Sequence, residues 1–329
     1  MPTVLIACPG FALADRKPIQ MMADAGFTVQ EPAFKTGELS ADADRFRRMI
    51  RDVDALIVSG VEKVPRPVIE DGNRLRMISV RGAGYDNVDL AAATDHGVLV
   101  TRNPGTNTKA VADMALGLML AVARKIGWMD RGMRAGRYAD LRVLSLDVYE
   151  KTLGIIGLGR IGKEVAVRAK GFDMRVIYHD LVAYDAFAQQ HGILKVPLET
   201  LLQESDFITL HVPLDHSTRN LLNAARLAAM KPDAVLVNTA RGGLIDEEAL
   251  YRELSDGRLC GYGADVHTKE PPDFMPLLRL DNVVTTPHMA GVSKQALINM
   301  STGSARKVIQ YLVKKEIPAD VLNPDVLDQ

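Results

Sequence analysis

The chain has 329 residues, enough at roughly 150 per domain for two domains with cores of their own. Forty Lys and Arg against 41 Asp and Glu leave a formal charge of −1, which supplies no global field for nucleic acid or an anionic membrane. Its two cysteines, Cys8 and Cys260, exclude a disulfide framework and any CxxC spacing, so a reducing cytoplasm is the expected compartment.

The opening MPTVLIACPG has neither the basic start nor the long apolar run of a signal peptide and reads as a first strand. Further β-rich runs follow at Asp54 to Val58, Met77 to Val80 and Val98 to Val100, separated by helical pieces, which predicts a parallel α/β sheet. The breaker cluster Arg102-Asn103-Pro104-Gly105 marks a domain boundary, and Thr106 to Lys125 reads as one long buried helix. Its most apolar part, Ala110 to Ala123, contains Asp113 and is too short to cross a membrane. Six more strands are predicted at Thr152 to Ile156, Arg175 to Tyr178, Phe207 to Leu210, Val235 to Asn238, Gly261 to Val266 and Val283 to Thr285, a full doubly wound set. A helix over Lys294 to Lys314 is expected to return to the first domain. The expected division is residues 1–103 plus 295–329 against 104–294.

Gly157-Leu158-Gly159-Arg160-Ile161-Gly162 follows the first strand of the second series directly and opens a helix, and Asp180 stands 18 residues on at the end of the next strand. That is the full context of a dinucleotide site. The glycines allow a tight turn and close backbone approach, and the helix start offers free N–H groups to a diphosphate. Asp180 can accept from both ribose hydroxyls of NAD and would repel a 2′-phosphate, so NAD is the expected cofactor.

Three further segments each end or follow a predicted strand: Asn238 to Gly243 with Asp246 beyond, Ala264 to Pro271, and Thr286-Pro287-His288. With the fingerprint they make the chain resemble the D-isomer-specific 2-hydroxyacid dehydrogenases from Val4 to about Asn323. The resemblance implies two Rossmann-like doubly wound domains, a flavodoxin-like substrate domain and an NAD-binding domain. It further implies a catalytic set of Arg241, Glu270 and His288. Oxidising a 2-hydroxy acid requires a base for the hydroxyl proton and a cation for the carboxylate. Arg241 offers a planar fork for the carboxylate, His288 is the acid/base, and Glu270 would hold the imidazole tautomer and raise its pKa.

By position, the resemblance also assigns Arg160 and Ile161 to the phosphate turn, and Val212, Pro213, Thr239 and Ala240 to the path of the cofactor. It places Asp265 against the nicotinamide carboxamide and Thr108 and Val111 beside the nicotinamide. Arg81, Gly82 and Ala83 are implied to face the substrate in the cleft between the domains, as are Arg241 and His288. His267 stands where the family often has an aromatic residue, Asp113 where it has Glu and Glu150 where it has Gly. His211 and His216 read as structural or exposed, with no metal-ligand spacing among the histidines.

Residues 87–94 and 239–246 look most like 3-phosphoglycerate dehydrogenases without a C-terminal regulatory domain. Hydroxypyruvate and glyoxylate reductases are the alternative. An NADH-responsive corepressor-like binding module is the alternative of another class. A small 2-hydroxy or 2-oxo acid and a second copy of the chain, as a homodimer, are the expected partners, with no nucleic acid and no membrane.

Overall fold

A computed structural model describes residues 1–273 and 275–328. The chain divides into two compact units, Met1–Asn107 with Gly291–Gln329, and Thr108–Ala290. The first unit holds five parallel strands, β1 (Thr3–Ala7), β2 (Thr28–Gln30), β3 (Ala55–Val58), β4 (Met77–Val80) and β5 (Leu99–Thr101), in the order β2-β1-β3-β4-β5. That is the flavodoxin-like order, with its switch point at β1 and β3. β3 and β4 are buried along their whole length, as a sheet covered on both faces requires.

One face packs Leu5, Leu56, Ile78 and Val100 against Phe46, Ile50 and Ala93. The other packs Val4, Ile6, Ile57 and Met77 against Ala305, Val308 and Leu312 of the helix Lys294–Leu312, so the C-terminal helix completes the N-terminal sheet. Asn323 fastens the tail by accepting from the Val100 N–H at 2.8 Å and donating to the Val98 carbonyl at 2.9 Å.

The second unit holds seven parallel strands: β6 (Thr152–Ile156), β7 (Arg175–His179), β8 (Leu194–Lys195), β9 (Phe207–Leu210), β10 (Val235–Asn238), β11 (Gly261–Ala264) and β12 (Val283–Thr285). Their order, β12-β11-β10-β9-β6-β7-β8, is a Rossmann sheet with one added strand, and its switch point lies at β6 and β9. The helix Thr108–Ala123 lies across one face with Ala112, Ala115, Met119 and Val122 packed on Ile155, Phe207 and Val237. Close approach is built into the strands, since a Cβ on Gly263 would stand 3.0 Å from Leu118 Cβ.

Two strands have no counterpart in the predicted elements. β2 is three residues with its first and last exposed, and β8 is two exposed residues. Edge strands this short carry no hydrophobic period for a sequence pattern to register. Among the described residues no helix is long and apolar enough to cross a membrane.

Candidate active site

The register of the seven-stranded sheet assembles the site. His179, Ile156, Leu210, Asn238, Ala264 and Thr285 are neighbours in one row across β7, β6, β9, β10, β11 and β12. The next residue of each strand is therefore Asp180, Gly157, His211, Thr239, Asp265 and Thr286. Chain positions 21 to 54 residues apart become adjacent along the carboxyl edge, the edge at which open α/β sheets bind ligands.

Over β6 and β9 this edge fits a dinucleotide. Gly157 has φ +97°, and a Cβ there would lie 2.8 Å from the backbone of His211 and from Val212 Cγ1. At Gly162 a Cβ would sit 2.1 Å from the Gly157 carbonyl oxygen, so only glycine lets the helix Arg160–Ala169 start this close to the turn. A Cβ on Gly159 would meet no atom within 4 Å, and Gly159 caps that helix without a side-chain acceptor. The helix start thus presents backbone donors toward open space, as an anion requires.

Asp180 accepts from the Leu158 N–H at 2.7 Å and the Val182 N–H at 2.9 Å, which ties the end of β7 to the glycine turn. It caps no helix, because the next one starts at Asp185. Arg160 is exposed, Ile161 and Val212 are half-buried, and Pro213 is exposed. NAD bound at this edge supplies hydride chemistry; the residues fit it by the open cradle at Gly159 and the acid at the end of β7.

Beyond β10, the fully buried Asn238 shapes the loop that carries Arg241. Its amide donates to the Arg241 carbonyl at 2.8 Å and accepts from the Ala240 N–H at 3.0 Å. Arg241 Nη1 donates to the Ala240 carbonyl at 2.8 Å. A Cβ on Gly242 would stand 1.9 Å from the His267 carbonyl carbon, so glycine at this position is what allows the Arg241 loop to lie against the loop of His267 and Glu270.

Glu270 and His288 form a pair. Glu270 Oε2 lies 2.6 Å from His288 Nδ1, and Oε1 accepts from the His267 N–H at 3.1 Å. Burial works against the Glu270 charge. The His288 hydrogen bond and charge, with the His267 N–H, outweigh it and bring the carboxyl below its ordinary range. His288 sits at φ +54°, a backbone region that disfavours a side chain, so its surroundings must hold it there.

Asp265 does so. At 1% exposure its Oδ1 accepts from Thr286 Oγ1 and from the Met289 N–H at 2.7 Å, and its Oδ2 from the Ala290 N–H at 2.7 Å. The His288 N–H donates to the Asp265 carbonyl at 2.8 Å. The acid that the resemblance places at the nicotinamide carboxamide thus has a second, internal set of partners, which the residue types alone do not reveal.

Two further histidines lie on this edge. Of the two readings of His211, structural or exposed, the first fits: its Nε2 shares a hydrogen with Thr209 Oγ1 at 3.0 Å, its Nδ1 is buried without a partner, and burial pulls its pKa from 6.5 to about 3. Its neighbour Thr239 is buried with an unpartnered Oγ1. His267 has its Nε2 2.8 Å from Thr285 Oγ1, beside the pair. Thr108 and Val111 are buried at the start of the helix Thr108–Ala123. Arg81, Gly82 and Ala83 follow β4 in the first unit, Arg81 buried and the other two half-buried. Among the described residues no cluster of metal-ligating side chains occurs.

Residues 116–290 match the family model described as D-isomer specific 2-hydroxyacid dehydrogenase, NAD binding domain. A glyoxylate reductase of Korarchaeum cryptofilum is 41% identical over 283 residues, covering 84% of this chain and 85% of that protein. A D-3-phosphoglycerate dehydrogenase of Methanocaldococcus jannaschii is 41% identical over 275 residues, 83% of this chain and 52% of that protein. The solved structure of D-lactate dehydrogenase from Aquifex aeolicus complexed with NAD and lactic acid superposes with a TM-score of 0.82 at 25% identity, over 98% of this chain and 99% of that one. A Rossmann edge built for a dinucleotide, and relatives that match across both units, lead to one conclusion: the chain belongs to the D-isomer-specific 2-hydroxyacid dehydrogenases and is an NAD-dependent oxidoreductase.

Proposed function

We propose that the protein interconverts a small 2-oxo acid and its 2-hydroxy acid, with His288 as acid/base, Arg241 as the cation for the carboxylate and Glu270 as the group that orients the imidazole. The observation that carries this reading is the 2.6 Å contact from Glu270 Oε2 to His288 Nδ1. It occupies one ring nitrogen and leaves Nε2 for the substrate oxygen. In reduction, the protonated His288 gives its proton to the carbonyl oxygen as that carbon gains a hydride. In oxidation, the neutral ring takes the hydroxyl proton. Arg241 offers parallel donors to the carboxylate and draws electron density from the adjacent carbon.

The resemblance over residues 87–94 and 239–246 points to 3-phosphoglycerate, and the names of relatives add glyoxylate and hydroxypyruvate. All three share the carboxylate beside the reacting carbon. Arg81, Gly82 and Ala83 are proposed as further substrate contacts. Asp265, Thr239, Ala240, Val212, Pro213, Thr108 and Val111, with Arg160 and Ile161, are proposed as cofactor contacts.

A panel of 2-oxo acids with NADH, followed by nicotinamide absorbance, tests the reading. His288→Gln should lower kcat by about 100-fold or more while the Kd of NADH, read by fluorescence, stays within about threefold. Unchanged kcat, or no turnover of any 2-oxo acid by the unaltered protein, would refute it, and the second outcome would favour a binding module.

A homodimer is proposed from the segment after the helix Thr108–Ala123. Ile126, Met133, Tyr138, Val143, Leu144 and Tyr149 are exposed large apolar residues within 24 positions, Leu144 at 93%, a concentration that a second copy would cover. A cavity of about 190 Å³ lined by Val122, Lys125, Trp128, Val143, Cys260 and Val284 lies in the same region. Sedimentation at micromolar concentration should give a dimer, and a monomer overturns the proposal. Both thiols are free, and a cytoplasmic location is proposed on that basis.

A further inference from the structure

The segment that follows Arg241 carries an acid with no part in the chemistry above. From Gly242 to Ile245 the chain is buried, and Asp246 then caps the helix Glu247–Ser255 by accepting from the Ala249 N–H at 3.0 Å. Glu247, the first residue of that helix, reaches a different loop: its Oε1 accepts from the Thr268 N–H at 2.8 Å.

Thr268 belongs to the loop of Glu270. The N–H before it, that of His267, goes to Glu270 Oε1 at 3.1 Å, and Glu270 Oε2 lies 2.6 Å from His288 Nδ1. Two successive N–H groups of one loop therefore end on two carboxylates, one beside His288 and one rooted in the segment of Arg241. The same backbone passes over Gly242, where a Cβ would stand 1.9 Å from the His267 carbonyl carbon and 2.2 Å from the Thr268 nitrogen. Repulsion at Gly242 sets how close the two loops come, whereas dispersion at one glycine resists their separation only weakly. The hydrogen bond from Thr268 to Glu247 supplies that resistance. The Glu247 carboxylate also lies near the fully buried Tyr262 of β11. Burial first, and the Glu247 charge second, raise the Tyr262 phenol above its ordinary range, and Tyr262 is hydrogen-bonded to Asn238, which shapes the Arg241 loop.

We propose that Glu247 is a positioning residue that ties the Glu270 loop to the Arg241 segment and so fixes the Glu270–His288 pair relative to Arg241. The inference rests on the reading of Arg241, Glu270 and His288 as the catalytic set and adds a residue that acts through them. Asn238 holds the Arg241 loop by its own two hydrogen bonds, so loss of the tie frees the Glu270 loop and leaves the cation for the carboxylate in place. Acids in a first helical turn also favour the helix dipole. Glu248 stands in the same turn and is exposed, which makes it the control for that plainer role.

The test compares Glu247→Ala, Glu247→Gln and Glu248→Ala in the full chain with NADH saturating, using the 2-oxo acid that the unaltered protein turns over fastest. Glu247→Ala should lower kcat by about tenfold, the scale of one hydrogen bond to a charged group, while KM for the acid changes by less than about threefold. Glu247→Gln keeps an oxygen for the same N–H and should recover kcat to within about threefold of the unaltered protein. Glu248→Ala should leave kcat within about twofold.

A second readout does not depend on turnover. Hydrogen exchange of a peptide containing Thr268, followed by mass spectrometry with NADH bound, should be faster by about tenfold or more in Glu247→Ala and within about threefold of the unaltered rate in the other two variants. Unaltered exchange in Glu247→Ala overturns the tie. Unaltered kcat, a loss that Glu247→Gln shares in full, or an equal loss in Glu248→Ala overturns positioning through it. If no 2-oxo acid turns over, the functional reading fails, and the exchange arm still decides whether Glu247 holds the loop.

Discussion

His211 gives the sharpest quantitative expectation. Its folded pKa is about 3 because the ring is buried, whereas an unfolded histidine titrates at about 6.5. Between those values the unfolded chain binds a proton that the folded chain refuses, so stability falls as pH drops below about 6.5. At about pH 5 the unfolded state gains 2.303RT·log(1 + 10^1.5), or about 2 kcal/mol, and this figure is nearly the same for a folded pKa of about 3 or about 4. Replacing His211 by Gln keeps a polar group toward Thr209 and removes the titration. Guanidinium melts of both proteins at about pH 7.5 and about pH 5 isolate the effect, because the other titrating groups are common to the pair and a fixed cost of the substitution cancels. The unaltered protein should lose about 2 kcal/mol more than His211→Gln. Parallel losses would show that the ring protonates in the folded state, and the account of a permanently neutral histidine at the cofactor edge would fall with it.

Other expectations follow from the geometry of the same edge. Asp265→Asn removes a carboxylate that takes three donors from the loop of His288, so kcat at saturating NADH should fall by about 100-fold in addition to any loss of NADH affinity; a loss confined to NADH affinity would assign Asp265 to the cofactor alone. Glu270→Gln removes the carboxylate that holds His288 at Nδ1 and should lower kcat/KM by about tenfold or more with the Kd of NADH within about threefold; an unchanged kcat/KM would show that Glu270 does not position the ring. Because the Glu270 carboxyl lies below its ordinary range, its contribution to stability is present above about pH 4.5 and is lost as pH falls through its folded pKa, so the unaltered protein should lose more stability in acid than Glu270→Gln. Asp180 is held against the glycine turn by the Leu158 N–H, and if it meets the ribose as the sequence implies, kcat/KM should favour NADH over NADPH by at least about tenfold; equal use of the two would contradict that role.

The glycine turn, its strand and the acid at the end of the following strand were legible because they lie within one stretch from Thr152 to Asp180 and their spacing is set by a single βαβ unit. The resemblance marked Arg241, Glu270 and His288, and the predicted strands before them were placed almost to the residue, since parallel strands buried on both faces leave continuous apolar runs such as Val235 to Val237. Short edge strands left no such trace. What the sequence could not state is the register that puts Asn238, Ala264 and Thr285 side by side and so brings three loops together. Nor could it state that Gly242 is glycine because the backbone of His267 passes within contact, that Asp265 holds the His288 loop, or that Arg81 Nη1 and His211 Nδ1 are buried without a partner. Each of these depends on which polar atoms from distant segments meet once water is excluded. A one-dimensional pattern records how apolar a residue's neighbours in the chain are, and only the closed sheet decides which donors and acceptors are left for a ligand to complete.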